Sequence, residues 1–283
     1  MIINILKLQY LIEYFINENT FRDCGSFFLL SGNIYAVNLP KDVASGNKYF
    51  KSLSKNFKKH GMQVVDKKDG HPVRAGDKSI RFEVRPGDCG HNDGWSDCKK
   101  DRERHELSGK RISSGEWWHA WSIFLPEDFI NVSPAKVALG QFHQEKGHVV
   151  WMFQNQSDYT RGGYWFDNQV PGYTKSLDRL LTNEDMIGKW NDILVNVKWS
   201  KKDNGFFKVW VNNKLIHEYM GPTKTKSKVY FKFGIYRSYL KRWIYSPRNK
   251  NKEKGVPTQV VYFDEVRTGK TKDKVVGKLP PLN

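Results

Sequence analysis

Tyr230-Phe231-Lys232-Phe233-Gly234-Ile235-Tyr236-Arg237 reads with a strand period, as do Arg102-Glu103-Arg104-His105-Glu106-Leu107 and Gly140-Gln141-Phe142-His143-Gln144. In a β-strand residues i and i+2 share a face, so Tyr230, Lys232, Gly234 and Tyr236 line one side. Phe231, Phe233 and Ile235 line the other, which is expected to be core. By the same count Arg102, Arg104 and Glu106 point one way while His105 and Leu107 point the other, and Gln141 shares a face with His143. The polar faces together offer a guanidinium, an amide, an imidazole, an ammonium and a phenol. Gly234 marks a place where something large can approach the backbone. That set of groups suits an anionic sugar.

Working outward, strand signals dominate from Ser79 onward. Arg81-Phe82-Glu83-Val84-Arg85 alternates and is ended by Pro86-Gly87-Asp88. Trp117 to Phe124 is strongly β-prone and stops at Leu125-Pro126. Ile193, Val195, Val197 and Trp199 alternate with Leu194, Asn196 and Lys198. Phe206 to Val211 turns at Asn212-Asn213 into Lys214 to Tyr219, a hairpin signal, and the last strand runs from Gln259 to Val266, ending near Gly269. Many short strands with turn-rich connections predict an all-β chain, a jelly-roll sandwich of two antiparallel sheets of the concanavalin A-like kind. Residues 1–40 read as a leader without a settled element pattern, 41–283 as a single domain, and 48–70 as irregular surface structure.

The 283 residues, 39% hydrophobic, can supply one large core. Forty-seven Lys and Arg against 30 Asp and Glu give a formal charge of +17, which implies an acidic partner. No zinc-finger spacing, helix-turn-helix pattern or RNA-recognition motif appears, so no specific nucleic-acid partner is expected. Cys89 and Cys98 flank a Gly, Asn and Asp rich loop that a disulfide can close; spacing does not decide the pairing. Cys24 is then unpaired. The apolar N-terminus is interrupted by Lys7 and Glu13 and makes a poor signal peptide, though secretion by another route stays open. No apolar run approaches the ~20 residues of a membrane span, so a soluble monomer is expected.

Residue by residue, Arg104-His105-Glu106-Leu107, Gln141-Phe142-His143 and Tyr230 to Tyr236 resemble the signature strands of jelly-roll polysaccharide lyases. In the alginate lyases of that group the patterns are R-S/T-E-L, Q-I-H and Y-F-K-A-G-V-Y. Supporting stretches such as Gly115-Glu116-Trp117-Trp118, Trp190-Asn191-Asp192 and Phe207 to Lys214 are similar to heparin lyase I and glucuronan lyase sequences. The resemblance covers Ser79 to Gly269. His105 and Phe142 depart from the pattern, and both lie on the faces expected to point away from the groove.

The resemblance implies β-elimination on a 4-linked uronic-acid polysaccharide, such as glucuronan, alginate or a heparin-like chain. A lyase must remove the C5 proton of a uronate and expel the oxygen at C4, so donors must be aimed at the carboxylate beside C5. Arg104 and Gln141 suit that role, His143 suits a base, and Tyr236 suits the acid on the leaving oxygen. Arg102, Lys232, Tyr230 and Arg237 are expected to bind substrate, and Glu106 to orient Arg104. This chemistry requires no metal or cofactor. Asp264 is the weak candidate for a structural Ca²⁺. The alternative is a non-catalytic module that binds anionic polysaccharide, which has no need of His143 and Tyr236 together. No pair of groove carboxylates suggests a hydrolase.

Overall fold

Alternation of bulky apolar and polar residues produces two stacked antiparallel sheets. The computed structural model describes residues 36–155, 162–172, 177–277 and 279–282. Most of the expected leader, with Cys24, lies outside the described residues. The strands are β1 (Ala44–Ser45), β2 (Phe50–Lys51), β3 (Met62–Asp66), β4 (Lys78–Val84), β5 (His91–Asn92), β6 (Trp95–Ser96), β7 (Arg102–Ser108), β8 (Gly115–Phe124) and β9 (Lys136–Gln144). They continue as β10 (Val149–Asn155), β11 (Tyr164–Asn168), β12 (Leu177–Leu181), β13 (Trp190–Trp199), β14 (Phe206–Val211), β15 (Lys214–Met220), β16 (Val229–Ser238) and β17 (Gln259–Gly269).

Among the described residues the front sheet runs β12-β11-β10-β9-β16-β7-β2, and the back sheet runs β15-β14-β13-β8-β17-β4-β3, with β1 on β17. The three motif strands are therefore adjacent, with β16 between β9 and β7. Residues 48–70, expected to be irregular, contribute β2 and β3; Val64 and Val65 pair with Ile80 and Ser79 across the β3–β4 ladder. The β14–β15 hairpin turns through Asn212 and Asn213, both at positive φ (49° and 66°), as a two-residue turn of the right twist demands. No helix among the described residues is long and apolar enough to cross a membrane.

The core between the sheets is largely aromatic. Phe142 sits with ring centroids 5.0 Å from Phe231, 5.3 Å from Trp199 and 5.6 Å from Phe207. Phe233 meets Phe82 edge-on at 5.5 Å and Phe263 at 5.3 Å. Each such ring contributes about 1.5–3 kcal/mol by leaving water. Because these rings alternate with Gln141, Lys232 and Tyr236, packing them inward forces the polar residues outward. Trp117 packs against the core, whereas Trp118 stacks on Trp210 at 5.7 Å, on the alternate side of β8.

Gly234 has φ of 126°, and a Cβ built there would stand 2.3 Å from the His105 carbonyl oxygen. The β7 and β16 backbones can approach only because this residue lacks a side chain. Gly234→Ala should cost at least about 2 kcal/mol, combining strained backbone with a backbone clash. Gly70→Ala, also at positive φ but with open space around it, should cost about 1 kcal/mol. Urea unfolding of both variants checks the difference; equal losses would show that the close approach is relieved at no cost.

Candidate active site

The site grows from one buried carboxylate. Glu106 on β7 is 1% exposed and takes three partners from three strands. Gln141 Nε2 on β9 donates to its Oε1 at 2.5 Å. Lys232 Nζ on β16 lies 2.6 Å from Oε2, and Arg104 Nη1 donates to Oε2 at 3.2 Å. Burial alone would lift the Glu106 pKa, but Lys232 and Arg104 outweigh it and hold the group below the usual carboxylate range. Burial lowers Lys232 to about 8, with Glu106 pulling the other way.

Arg104 has a second anchor. Its Nε and Nη2 donate to the two oxygens of Asp97 at 2.6 and 2.7 Å, a bidentate grip on a fully buried carboxylate. Asp97 stands in the loop closed by the Cys89–Cys98 disulfide, whose Cα atoms are 5.2 Å apart. The guanidinium lies 4.1 Å from the centroid of the Tyr236 ring, its cross-strand neighbour. Burial raises the Tyr236 pKa, and Arg104 opposes that rise.

His143 and Tyr230 face each other across the β9–β16 ladder. His143 Nδ1 is 2.8 Å from the Gln144 carbonyl and 3.3 Å from the Tyr230 hydroxyl. A carbonyl only accepts, so Nδ1 carries the proton and Nε2 bears the lone pair. Burial, reinforced by Lys232, lowers His143 to about 4, so the ring is neutral at ordinary pH. A groove of about 650 Å³ runs over this face and is lined by Arg102, Arg104, Gln141, His143, Tyr230, Lys232 and Tyr236 among others.

Seven of the eight expected residues are thus brought together. Arg237 is not. It is fully buried on the opposite side of β16, ion-paired to Glu103 and donating to the Pro257 carbonyl. Strand alternation beside Tyr236 requires this, and the expectation that Arg237 binds substrate is corrected. Asp264 likewise serves the backbone, accepting N–H groups of Arg74 at 2.9 Å, Ala75 at 3.2 Å and Glu265 at 2.7 Å. Among the described residues no cluster of His, Cys, Asp or Glu ligand atoms forms around Asp264, so its expected role as a Ca²⁺ ligand gains no support. His60, Asp88 and His105 offer ligand atoms within 4.8 Å of one another. Yet both His105 nitrogens are occupied, by the Glu83 carbonyl at 2.7 Å and the Lys58 N–H at 3.3 Å.

A model of the family described as polysaccharide lyase matches residues 45–267. The chain belongs to the polysaccharide lyase family. It is therefore an enzyme that acts on a polysaccharide. Among solved structures, an endo-β-1,4-glucuronan lyase from the fungus Trichoderma reesei is similar at 17% identity and TM-score 0.50, over 77% of this chain and 91% of that one. An alginate lyase from Pseudomonas aeruginosa is similar at 16% identity and TM-score 0.48, over 77% and 90%. At 17% identity the likeness to the glucuronan lyase is one of fold. No curated protein sequence matches the chain.

Asp97, Trp95 and Lys136 line or brace this groove and were not among the expected residues. Asp97 had a signal, an acidic residue beside the second cysteine of a short loop. If Glu106 is the hub, Glu106→Gln should lower stability by about 3 kcal/mol, because Lys232 and Arg104 lose the carboxylate that compensates their burial. Chemical denaturation checks this, and a loss below about 0.5 kcal/mol, the scatter of ordinary surface changes, would show that the cluster is not coupled to the fold.

Proposed function

We propose that this lyase cleaves a 4-linked uronic-acid polysaccharide by β-elimination in the groove of the front sheet. The observation that carries the reading is the ladder register. It gathers Arg104, Gln141, His143 and Tyr236 from β7, β9 and β16 on one face, around Glu106.

Arg104 uses three of the five N–H donors of a guanidinium on Asp97 and Glu106. Two remain for the uronate carboxylate. Gln141 spends one amide hydrogen on Glu106 and keeps another. Such donors, fixed before substrate arrives, stabilise the charge that spreads onto the carboxylate as C5 loses its proton. The C5–H bond breaks, its electron pair forms the C4–C5 double bond, and the C4–O bond breaks. His143 Nε2 takes the proton and Tyr236 gives one to the leaving oxygen when the two groups lie on opposite faces of the sugar. Where they share a face, Tyr236 serves as both base and acid. Lys232 and Tyr230 bind substrate. Glu106 orients Arg104, Gln141 and Lys232, since a carboxylate in the role of base would repel the uronate.

The test is to incubate the protein with glucuronan, alginate fractions rich in each uronate, and heparin, and to follow the ultraviolet absorbance of the unsaturated product. A rise on one polymer, reduced at least about 100-fold by His143→Ala or Tyr236→Phe, is expected for general acid–base groups. Binding to a polymer with no rise on any would instead make the groove a binding module.

The pH profile gives an independent check. His143 is depressed, so its basic form persists as pH falls and is lost only through about 4. Lys232 keeps its charge until pH rises through about 8. On a polymer that His143 deprotonates, kcat/KM should hold between those limits and fall outside them. An acid limb at the ordinary imidazole value, about 6.5, would contradict the buried environment assigned to His143.

A further inference from the structure

At one end of the groove lies a second set of cations with a different environment. Arg102, Ser238 and Lys136 form a row across three strands, since Ser238 pairs with Arg102 on one side and Lys136 on the other. The next row is Arg104, Tyr236 and Ala138. Rows two residues apart along a strand are separated by roughly 7 Å, within reach of an adjoining sugar.

The charge balance distinguishes the two rows. Arg104 in the next row, and Lys232 two rows further along β16, are matched by Asp97 and Glu106. Arg102 and Lys136 form no ion pair among the described residues, and Arg102 Nε is buried without a hydrogen-bond partner. Both line the groove, together with Trp95 and Tyr239. Trp95 is 38% exposed, unusually open for a large aromatic side chain, and Tyr239 is 41% exposed. The Trp95 indole is pinned by its N–H to Asp97 at 2.9 Å and faces the Arg102 guanidinium at 5.2 Å. Tyr239 is held just beyond the end of β16, its N–H bonded to the Asp101 carbonyl at 3.1 Å and Arg242 lying 4.1 Å from its ring centroid.

We propose that Arg102, Lys136, Trp95 and Tyr239 form a second uronate subsite beside the reacting one. The proposal rests on the polyuronate reading above. The two unmatched cations take the carboxylate of a neighbouring uronate, and the two rings offer flat apolar surfaces to the sugar faces. Charge to hold the polymer is thereby placed outside the reacting centre.

The experiment uses oligouronates of defined length, made from the polymer that the wild type cleaves. Arg102→Ala with Lys136→Ala should raise KM about tenfold on long chains, hold kcat within about twofold, and flatten the salt dependence of kcat/KM. An unchanged KM on long chains overturns the subsite. Trp95 also braces Asp97, so two variants separate its roles. Trp95→Phe keeps a ring without the N–H and should preserve KM, whereas Trp95→Ala should raise it; equal damage in both would overturn stacking. If the wild type forms no unsaturated product from any polyuronate, the lyase reading fails by itself. Retardation in gels containing glucuronan or alginate then tests the subsite alone: weaker retardation of the Arg102 and Lys136 double variant supports it, and unchanged retardation overturns it.

Discussion

A carboxylate taken out of water must be matched, and Glu106 is matched from three strands at once. Desolvating a charged pair costs several kcal/mol per ion, and this is offset only when geometry and hydrogen bonding are good. Arg104, Gln141 and Lys232 supply that geometry only if β7, β9 and β16 keep their register. A slip of one residue would send Gln141 or Lys232 into the aromatic core and bring Phe142 or Phe231 into the groove. The hydrophobic pattern and the buried ion cluster therefore specify the same ladder. Gly234 stands directly opposite Glu106 in that ladder.

Much of this was legible in the sequence because a period of two is a local property. Alternation in Tyr230 to Tyr236 assigned each residue to its face, and the same count in Arg102 to Leu107 placed Glu106 beneath the groove and His105 behind it. Applied one residue further, it would also have turned Arg237 away. The count failed where the ladder is irregular. Val137, Leu139 and Phe142 are all buried, which a strict alternation from Gln141 cannot give for Phe142 together with the other two. Irregular steps in the ladders from β9 to β10 and β16 change the phase. Lys136 reaches the groove as a result, although simple counting back from Gln141 points it inward. Asp97 was hidden for a different reason. Its role depends on a loop folding back on β7, and loop geometry is not periodic.

The disulfide links that loop to the chemistry. Cys89 and Cys98 close a segment carrying both Trp95 and Asp97, and Asp97 accepts from two donors of the Arg104 fork, Nε and Nη2. With Glu106 on the third donor, the guanidinium has little freedom left. Its position is decided before any substrate arrives, which is the condition under which a donor stabilises a transition state without the cost of reorganisation. The loop and the sheet thus divide the work, the sheet setting the row of groups and the loop fixing the orientation of its strongest donor.

Burial, helped by Lys232, lowers His143 to about 4 and makes it a weak base. A weak base can take a carbon-bound proton only if the carbon acid is strengthened, so the burden shifts to the groups that meet the carboxylate. In the proposed reaction those groups are Arg104 and Gln141. Substrate binding also changes the base itself, because the cation that helps hold His143 down, Lys232, is then faced by a new negative charge. In the proposed reaction an arriving uronate therefore raises the basicity of His143 at the moment it is needed, while burial in the free protein keeps the ring neutral. On this reading the low basicity of the free site keeps His143 in its working protonation state over a wide range of acidity.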